Sequence, residues 1–155
     1  MMPVFRRAEP ADIAAMSRIR LSVTENVLSD PARVTLKMYE DYLERCGRGW
    51  VADIDGAIAA FAYADKLDGS IWALFVDPAY EGRGLAKQLL RLAVDWLFAL
   101  GFAQVTLTTT PGTRADRFYG RQGWRRGAPG AREVAYSLPR DDQRQPSTPP
   151  LSDLP

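Results

Sequence analysis

At Asp77-Pro78 the apolar pattern of the chain changes period. Before it, Trp50 to Ile54, Ala57 to Ala64 and Ile71 to Val76 are short apolar runs. The turn dipeptides Asp55-Gly56 and Asp68-Gly69 separate them. Such runs joined by tight turns predict an antiparallel meander. After it, Leu85, Leu89, Leu92, Ala93, Trp96, Leu97 and Leu100 define one face of a long helix that Gly101 ends. Gln104 to Thr110 is β-branched and reads as a further strand. Strand, loop, helix, strand is a crossover unit, so Ile71 to Val76 and Gln104 to Thr110 are expected to lie parallel and adjacent. The junction therefore restricts the fold to an α/β class with a mixed, mostly antiparallel central sheet and flanking helices.

The rest of the chain fits around this unit. Val4 to Arg7 is a short candidate strand. Glu9-Pro10-Ala11-Asp12 opens a helix whose apolar face is Ile13, Met16, Ile19, Val23 and Val27. Asp30-Pro31 starts a second helix, with Leu36, Tyr39, Leu43 and Cys46 as its buried stripe and Gly47 at its end. Pro111-Gly112 is a turn, and Thr113 caps a short helix to Arg121. Trp124 to Arg126 and Val134 to Leu138 close the sheet. The segment Pro139 to Pro155 holds five of the eleven prolines and no aromatic residue, so it is expected to be a flexible tail. The folded domain is expected to be residues 1–138.

With 155 residues and 46% apolar content, one domain with a real core is expected. No apolar run reaches the roughly 18 residues of a membrane span. The N-terminus lacks an apolar signal core, and a single cysteine permits no internal disulfide, so a cytoplasmic protein is expected. The absence of histidine excludes Ser-His triads, Cys-His pairs and histidine zinc sites. No metal is expected. A net charge of +1 gives no general drive toward nucleic acid or membrane.

The run Val76 to Lys87, VDPAYEGRGLAK, carries the chemistry. A strand ends, glycines follow and a helix begins, so unpaired backbone N–H groups and the positive end of the helix dipole face outward. Gly82 and Gly84 let an anion approach the backbone, which makes a phosphate or diphosphate cradle, with Arg83 and Lys87 adding charge at the rim. A nucleotide P-loop would place a hydroxyl residue after the lysine, but Gln88 stands there. A dinucleotide loop would need glycine where Lys87 stands. A plain tight turn is the remaining alternative.

The run VDPAYEGRGLAKQLL resembles the acetyl-CoA motif of the GNAT superfamily of N-acetyltransferases, Gln/Arg-x-x-Gly-x-Gly/Ala preceded by Val-x-Pro. Gly84 and Ala86 match its last two positions, and Glu81 replaces the usual Gln or Arg. Ala115, Phe118, Tyr119, Gly123 and Trp124 resemble the downstream signature Asn-x-x-Ala-x-x-Phe-Tyr-x-x-x-Gly-Phe, with Gly112 in place of Asn. The resemblance implies a GNAT fold that holds acetyl-CoA in a V-shaped gap between the third meander strand and its parallel neighbour. A bulge in the meander strand would free the Val76 N–H to polarise the thioester oxygen. Backbone amides around Arg83, Gly84, Leu85 and Ala86 would hold the diphosphate. Phe75, Glu81, Gly82, Lys87, Thr109, Ala115 and Phe118 are the other expected cofactor contacts. Arg121 is a further expected contact, and one reading of the basic run has Arg117 or Arg121 meet the 3′-phosphate.

Tyr119 would hydrogen-bond the departing sulfur. The acceptor would be a primary amine of a small molecule, peptide or protein, attacking directly. Its pocket would draw on Glu25, Asn26, Tyr63 and Trp72; the last two lie in predicted strands, where core packing is the alternative. Glu25, at the end of the first helix, is the candidate base, and Asp65 is the second; Ser70 stands where some relatives carry a glutamate. Cys46 is read as core packing. Between Arg114 and Glu133 six arginines face two acidic residues; the readings are a solvated basic face, a 3′-phosphate contact or an RNA contact. A homodimer is compatible with the fold. Two alternatives belong to other classes, a catalytically silent acyl-CoA-binding sensor or regulatory module and an ATP-binding protein.

Overall fold

A computed structural model describes residues 2–23 and 36–140. Seven strands form one sheet in the order β1-β2-β3-β4-β5-β7-β6. They are β1 (Val4–Arg7), β2 (Gly47–Ile54), β3 (Ala57–Asp65), β4 (Ser70–Val76), β5 (Gln104–Thr109), β6 (Arg125–Arg126) and β7 (Val134–Pro139). Every neighbouring pair is antiparallel except β4 with β5. The helices are α1 (Ile13–Ser22), α2 (Leu36–Leu43), α3 (Leu85–Ala99) and α4 (Arg114–Arg121).

Strand alternation divides the core into two layers. On β2 and β3, Trp50, Ala52, Ala60, Ala62 and Ala64 pack with the buried face of α3. Between them, Val51, Phe61 and Tyr63 point to the other face, against Met16 and Ile19 of α1 and Tyr39 and Leu43 of α2. Alanines on one face let α3 lie close to the sheet, while aromatic rings fill the wider space under α1 and α2. Arg6 ties the entry of α1 to the sheet, its guanidinium bonding Asp12 at 2.8 and 3.0 Å and reaching Asp53 at 3.3 Å.

Several expected details shift. Helix α1 ends at Ser22 and Val23 is extended, at φ −74° and ψ 152°, so Val23 does not continue its buried face. Val27, Glu25, Asn26 and the cap Asp30-Pro31 lie outside the described residues. On α2 the buried residues are Tyr39 and Leu43, while Leu36 is exposed. Cys46 follows the helix in a bend, its N–H donating to the Asp41 carbonyl at 2.8 Å. Gly47 opens β2 instead of ending α2. A Cβ there would sit 1.8 Å from the Ala64 carbonyl oxygen, so only glycine lets β2 approach β3 at that point.

On α3 the buried face is Leu85, Leu89, Leu90, Ala93, Val94, Leu97 and Phe98. Leu92 and Leu100 are exposed instead. The sheet thus covers the side of the Leu89–Ala93–Leu97 row opposite to the one the apolar spacing singled out. The sheet also extends past the expected boundary at 138. Pro139 pairs with Gln104, and Arg140 donates its N–H to Ala103 at 3.0 Å and its guanidinium to the Phe98 carbonyl. Among the described residues, no helix is long and apolar enough to cross a membrane.

Candidate functional site

The parallel pair β4 and β5 meets at Ser70 and Thr106, where the Thr106 N–H donates to the Gly69 carbonyl at 3.1 Å. No other pairing joins these strands among the described residues, and a cavity of about 480 Å³ opens at the end of β4. Its floor includes Leu74, Phe75 and Val76, one wall runs from Glu81 to Lys87, and the other carries Ala115, Phe118, Tyr119 and Arg121. That volume lies in the range of small-molecule clefts.

Val76 pairs with Ala60, and the next residue, Asp77, donates its N–H to the Ala59 carbonyl at 2.8 Å. In an antiparallel ladder this makes Ala60 and Val76 a pair that exchanges no hydrogen bonds. The Val76 N–H therefore points away from β3, toward the β5 side, where the strands have parted. The bulge lies elsewhere: the register shifts where Ile71 faces Ala64 and Ala73 faces Tyr63, leaving Trp72 as the extra residue. Splaying of β4 from β5, with no bulge near Val76, is what exposes its amide.

After β4, Asp77 accepts the Ala79 N–H at 3.0 Å and sets a 3-10 turn over Pro78–Tyr80. Gly82 and Gly84 follow at φ 80° and 77°, left-handed values that side-chain-bearing residues rarely adopt. Gly84 is the N-cap of α3 and offers no side-chain acceptor to the first N–H groups of the helix. A Cβ at Gly82 or Gly84 would meet no atom within 4 Å. The glycines thus serve the turn, and they leave the helix N-terminus of α3, with its partial positive charge, open to an anion. The Arg83 guanidinium lies 5.2 Å from the Tyr80 ring centroid at the rim. These residues fit a diphosphate held by backbone amides.

The opposite wall is anchored from below. Thr113 caps α4 by accepting the Asp116 N–H at 3.2 Å. The Asp116 carboxylate is buried and fully engaged: Arg126 donates to it twice at 2.9 Å, the Tyr136 hydroxyl at 2.5 Å and the Gly112 N–H at 2.8 Å. The Arg126 guanidinium, followed by the Tyr136 hydroxyl, holds this carboxyl far below the usual carboxylate range. Gly112, at the position where the motif carries Asn, contributes through its main chain, its carbonyl accepting from Arg117 at 3.1 Å. On this base Tyr119 is 6% exposed, with ring centroids at 5.2 Å from Phe118, 5.8 Å from Trp124 and 5.6 Å from Tyr136. Tyr119 lines the cavity, and burial pushes its phenol above the ordinary value of 10, so its hydroxyl stays neutral.

Glu81 and Lys87 line the cavity as expected, and so do Phe75, Gly82, Arg83, Gly84, Leu85 and Ala86. Thr109 does not; it is buried in β5 opposite Val134. Of the expected acceptor residues, the described ones, Tyr63 and Trp72, do not line it either. Tyr63 is sealed in the core, its hydroxyl donating to the Tyr39 carbonyl at 3.3 Å. Trp72 stacks on Tyr42 with centroids 4.5 Å apart and planes 6° from parallel. Both belong to the aromatic layer beneath α1 and α2. Asp65 is occupied by the Tyr42 hydroxyl at 3.0 Å and the Leu67 N–H at 2.8 Å, so it fixes the turn after β3.

Val23, Leu74, Pro78, Tyr80, Arg114 and Gln122 also line the cavity, though none of them is among the expected site residues. Pro78 and Tyr80 lie within the Val76–Lys87 run, and Arg114 is the first arginine of the basic run. Among the described residues no group of His, Cys, Asp or Glu could hold a metal ion.

Residues 14–124 match the acetyltransferase (GNAT) family. YjgM, an uncharacterized N-acetyltransferase of Escherichia coli (strain K12), is 26% identical over 121 residues, 70% of this chain and 72% of that protein. The PaiA N-acetyltransferase of Thermoplasma acidophilum, solved in complex with coenzyme A, superposes with a TM-score of 0.79 at 13% identity, covering 90% of this chain and 99% of that one. YncA of Salmonella typhimurium, solved with its cofactor acetyl-CoA, gives a TM-score of 0.73 at 20% identity, covering 96% and 99%. The splayed parallel pair, the glycine cradle and the match over most of the chain agree: this protein belongs to the acetyltransferase (GNAT) family.

Proposed function

We propose that this N-acetyltransferase grips the diphosphate of acetyl-CoA at the start of α3 and passes the acetyl group to a primary amine of a small molecule, peptide or protein. Acetyl-CoA supplies an activated acetyl thioester to the gap between β4 and β5. The observation that carries the reading is the pairing position of Val76, which aims a fixed N–H into that gap beside the glycine cradle. There it stabilises negative charge developing on the thioester oxygen without reorganising. The N–H groups around Gly84, Leu85 and Ala86 hold the diphosphate, each charge-assisted bond contributing about 1.5–3 kcal/mol. The neutral hydroxyl of Tyr119 donates a hydrogen bond to the departing sulfur. Full proton transfer from it is uphill, since burial raises the phenol further above a thiol near 8.5.

The amine must attack in its neutral form. At pH 7 an alkyl amine near pKa 10.4 is neutral in about one molecule in 2,500. Glu25 remains the proposed base and, with Asn26, part of the acceptor pocket. The enzyme acts in the cytoplasm, which suits the unbridged Cys46.

A second reading, a silent acyl-CoA-binding module, draws on the cavity lining described, whose one carboxylate, Glu81, is already paired with Arg114. Thiol release from acetyl-CoA, measured against a panel of small amines and N-terminal peptides, separates the two. Turnover with any amine supports the enzyme. Binding seen by calorimetry without turnover supports the module, and no heat with CoA thioesters at millimolar concentration overturns both.

A further inference from the structure

Glu81 and Arg114 face each other across the cavity, with Oε1 of the carboxylate 2.5 Å from Nη1 of the guanidinium. Glu81 precedes Gly82 in the loop that enters α3, and Arg114 is the first residue of α4, so the pair links the two walls. The rest of the rim is arranged for an anion: Arg83, Lys87 and Arg121 line it, and the uncapped amides of α3 open onto it. A carboxylate in that rim has the same sign as a diphosphate. Its side chain is 41% exposed and that of Arg114 is 61% exposed, so the pair is weakly held and its members can change partners.

We infer that Glu81 stands in for the diphosphate: it holds Arg114 until acetyl-CoA arrives, then yields, and Arg114 turns to the diphosphate oxygens. This rests on acetyl-CoA occupying the cavity. The guanidinium fork suits a phosphate as well as it suits a carboxylate, so the exchange replaces one bidentate-capable partner with another of higher charge. Arg114 lies at the α4 end that faces Glu81 and the cradle. Arg121 sits at the far end of α4, which leaves it, not Arg114, for the ribose phosphate.

The test is the affinity for acetyl-CoA, measured by calorimetry at low fixed ionic strength. Glu81→Gln removes the competitor and keeps the shape, so binding tightens by about twofold to tenfold. Arg114→Gln weakens binding by about tenfold. In the double variant, the gain from Glu81→Gln shrinks, because the arginine it releases is gone. Dephospho-CoA, which lacks the ribose phosphate, shows the same loss with Arg114→Gln. Acetyl-pantetheine, which lacks all phosphates, shows no change of KM in either variant.

Unchanged or weaker binding by Glu81→Gln, with wild-type binding intact, overturns the exchange and leaves the acetyltransferase reading standing; weaker binding would mean that Glu81 orients Arg114 for the ligand. Disappearance of the Arg114 effect with dephospho-CoA moves Arg114 to the ribose phosphate and also overturns it. A wild-type protein that takes up no CoA thioester overturns the exchange together with the reading beneath it.

Discussion

Tyr119 is held by packing on three aromatic rings and lines the cavity, and burial keeps its hydroxyl protonated. Packing alone would be met equally well by phenylalanine, so the hydroxyl is the part that reports function. Tyr119→Phe is expected to lower kcat by about tenfold to a hundredfold, the worth of a hydrogen bond to a charged group, with acetyl-CoA affinity nearly unchanged. Steady-state kinetics with calorimetry separate the two, and a loss of affinity with kcat preserved would make the residue structural. The direction of its shift has a consequence for pH. A phenol raised above 10 keeps its proton through the alkaline range in which the amine acceptor becomes neutral. The rate is therefore expected to keep rising up to about pH 10 with no falling limb from Tyr119. A decline centred well below that value would show that Tyr119 ionises in the working range.

At the scale of the element, α4 depends on Asp116, which joins the helix to β6 through Arg126, to β7 through Tyr136 and to the preceding loop through Gly112. Its folded-state pKa is depressed, so its contribution to stability is fully present above the unfolded value near 3.9 and is lost as pH falls toward the folded value. Asp116→Asn is expected to lower Tm at neutral pH. The gap between the variant and the wild type should hold down to about pH 5 and close progressively below about pH 4. Thermal melts across pH 2.5 to 7 read this directly; a gap independent of pH would mean the loss is one of shape, not charge. None of this network was visible in sequence, because its members lie in four different segments and only folding brings them together. What was legible is local. Val4–Arg7 was read to the residue, the Asp55-Gly56 turn and the cap at Thr113 were found, and the glycine cradle is contiguous in the chain. The phase of α3 was not, since Leu90, Leu92, Val94, Leu100 and their neighbours make the helix apolar on more than one side and the sheet decides which side is covered. For Tyr63 and Trp72 the sequence leaves pocket wall and core packing both open, because alternation shows that a strand residue faces one side without showing what lies there. In the fold that side is the floor of α1 and α2.

At the scale of the whole molecule the sheet has two parts. β1 to β4 form a continuous antiparallel ladder and β5 to β7 form another; among the described residues one strand pairing, Ser70 with Thr106, joins them, and the packing of α3 and the Glu81–Arg114 pair also cross between them. The wedge proposed to receive the cofactor is thus the seam of the fold, where among the described residues no ladder pairing beyond Ser70 with Thr106 joins β4 to β5. A ligand that bonds to Val76 on one side and packs on Phe118 and Tyr119 on the other bridges the halves. Binding to the folded state alone stabilises by about 2.7 kcal/mol at a hundredfold excess over Kd. For a domain of this size each kcal/mol raises Tm by about 2–4 °C, so acetyl-CoA at that concentration is expected to raise Tm by about 5–10 °C. Amide exchange should slow most at the ends of β4 and β5 that have parted, beginning with the Val76 N–H, and little in β1 or β2. A rise in Tm with protection confined to α3 would place the ligand on the cradle without filling the wedge, and the aim of the thioester at Val76 would then fail.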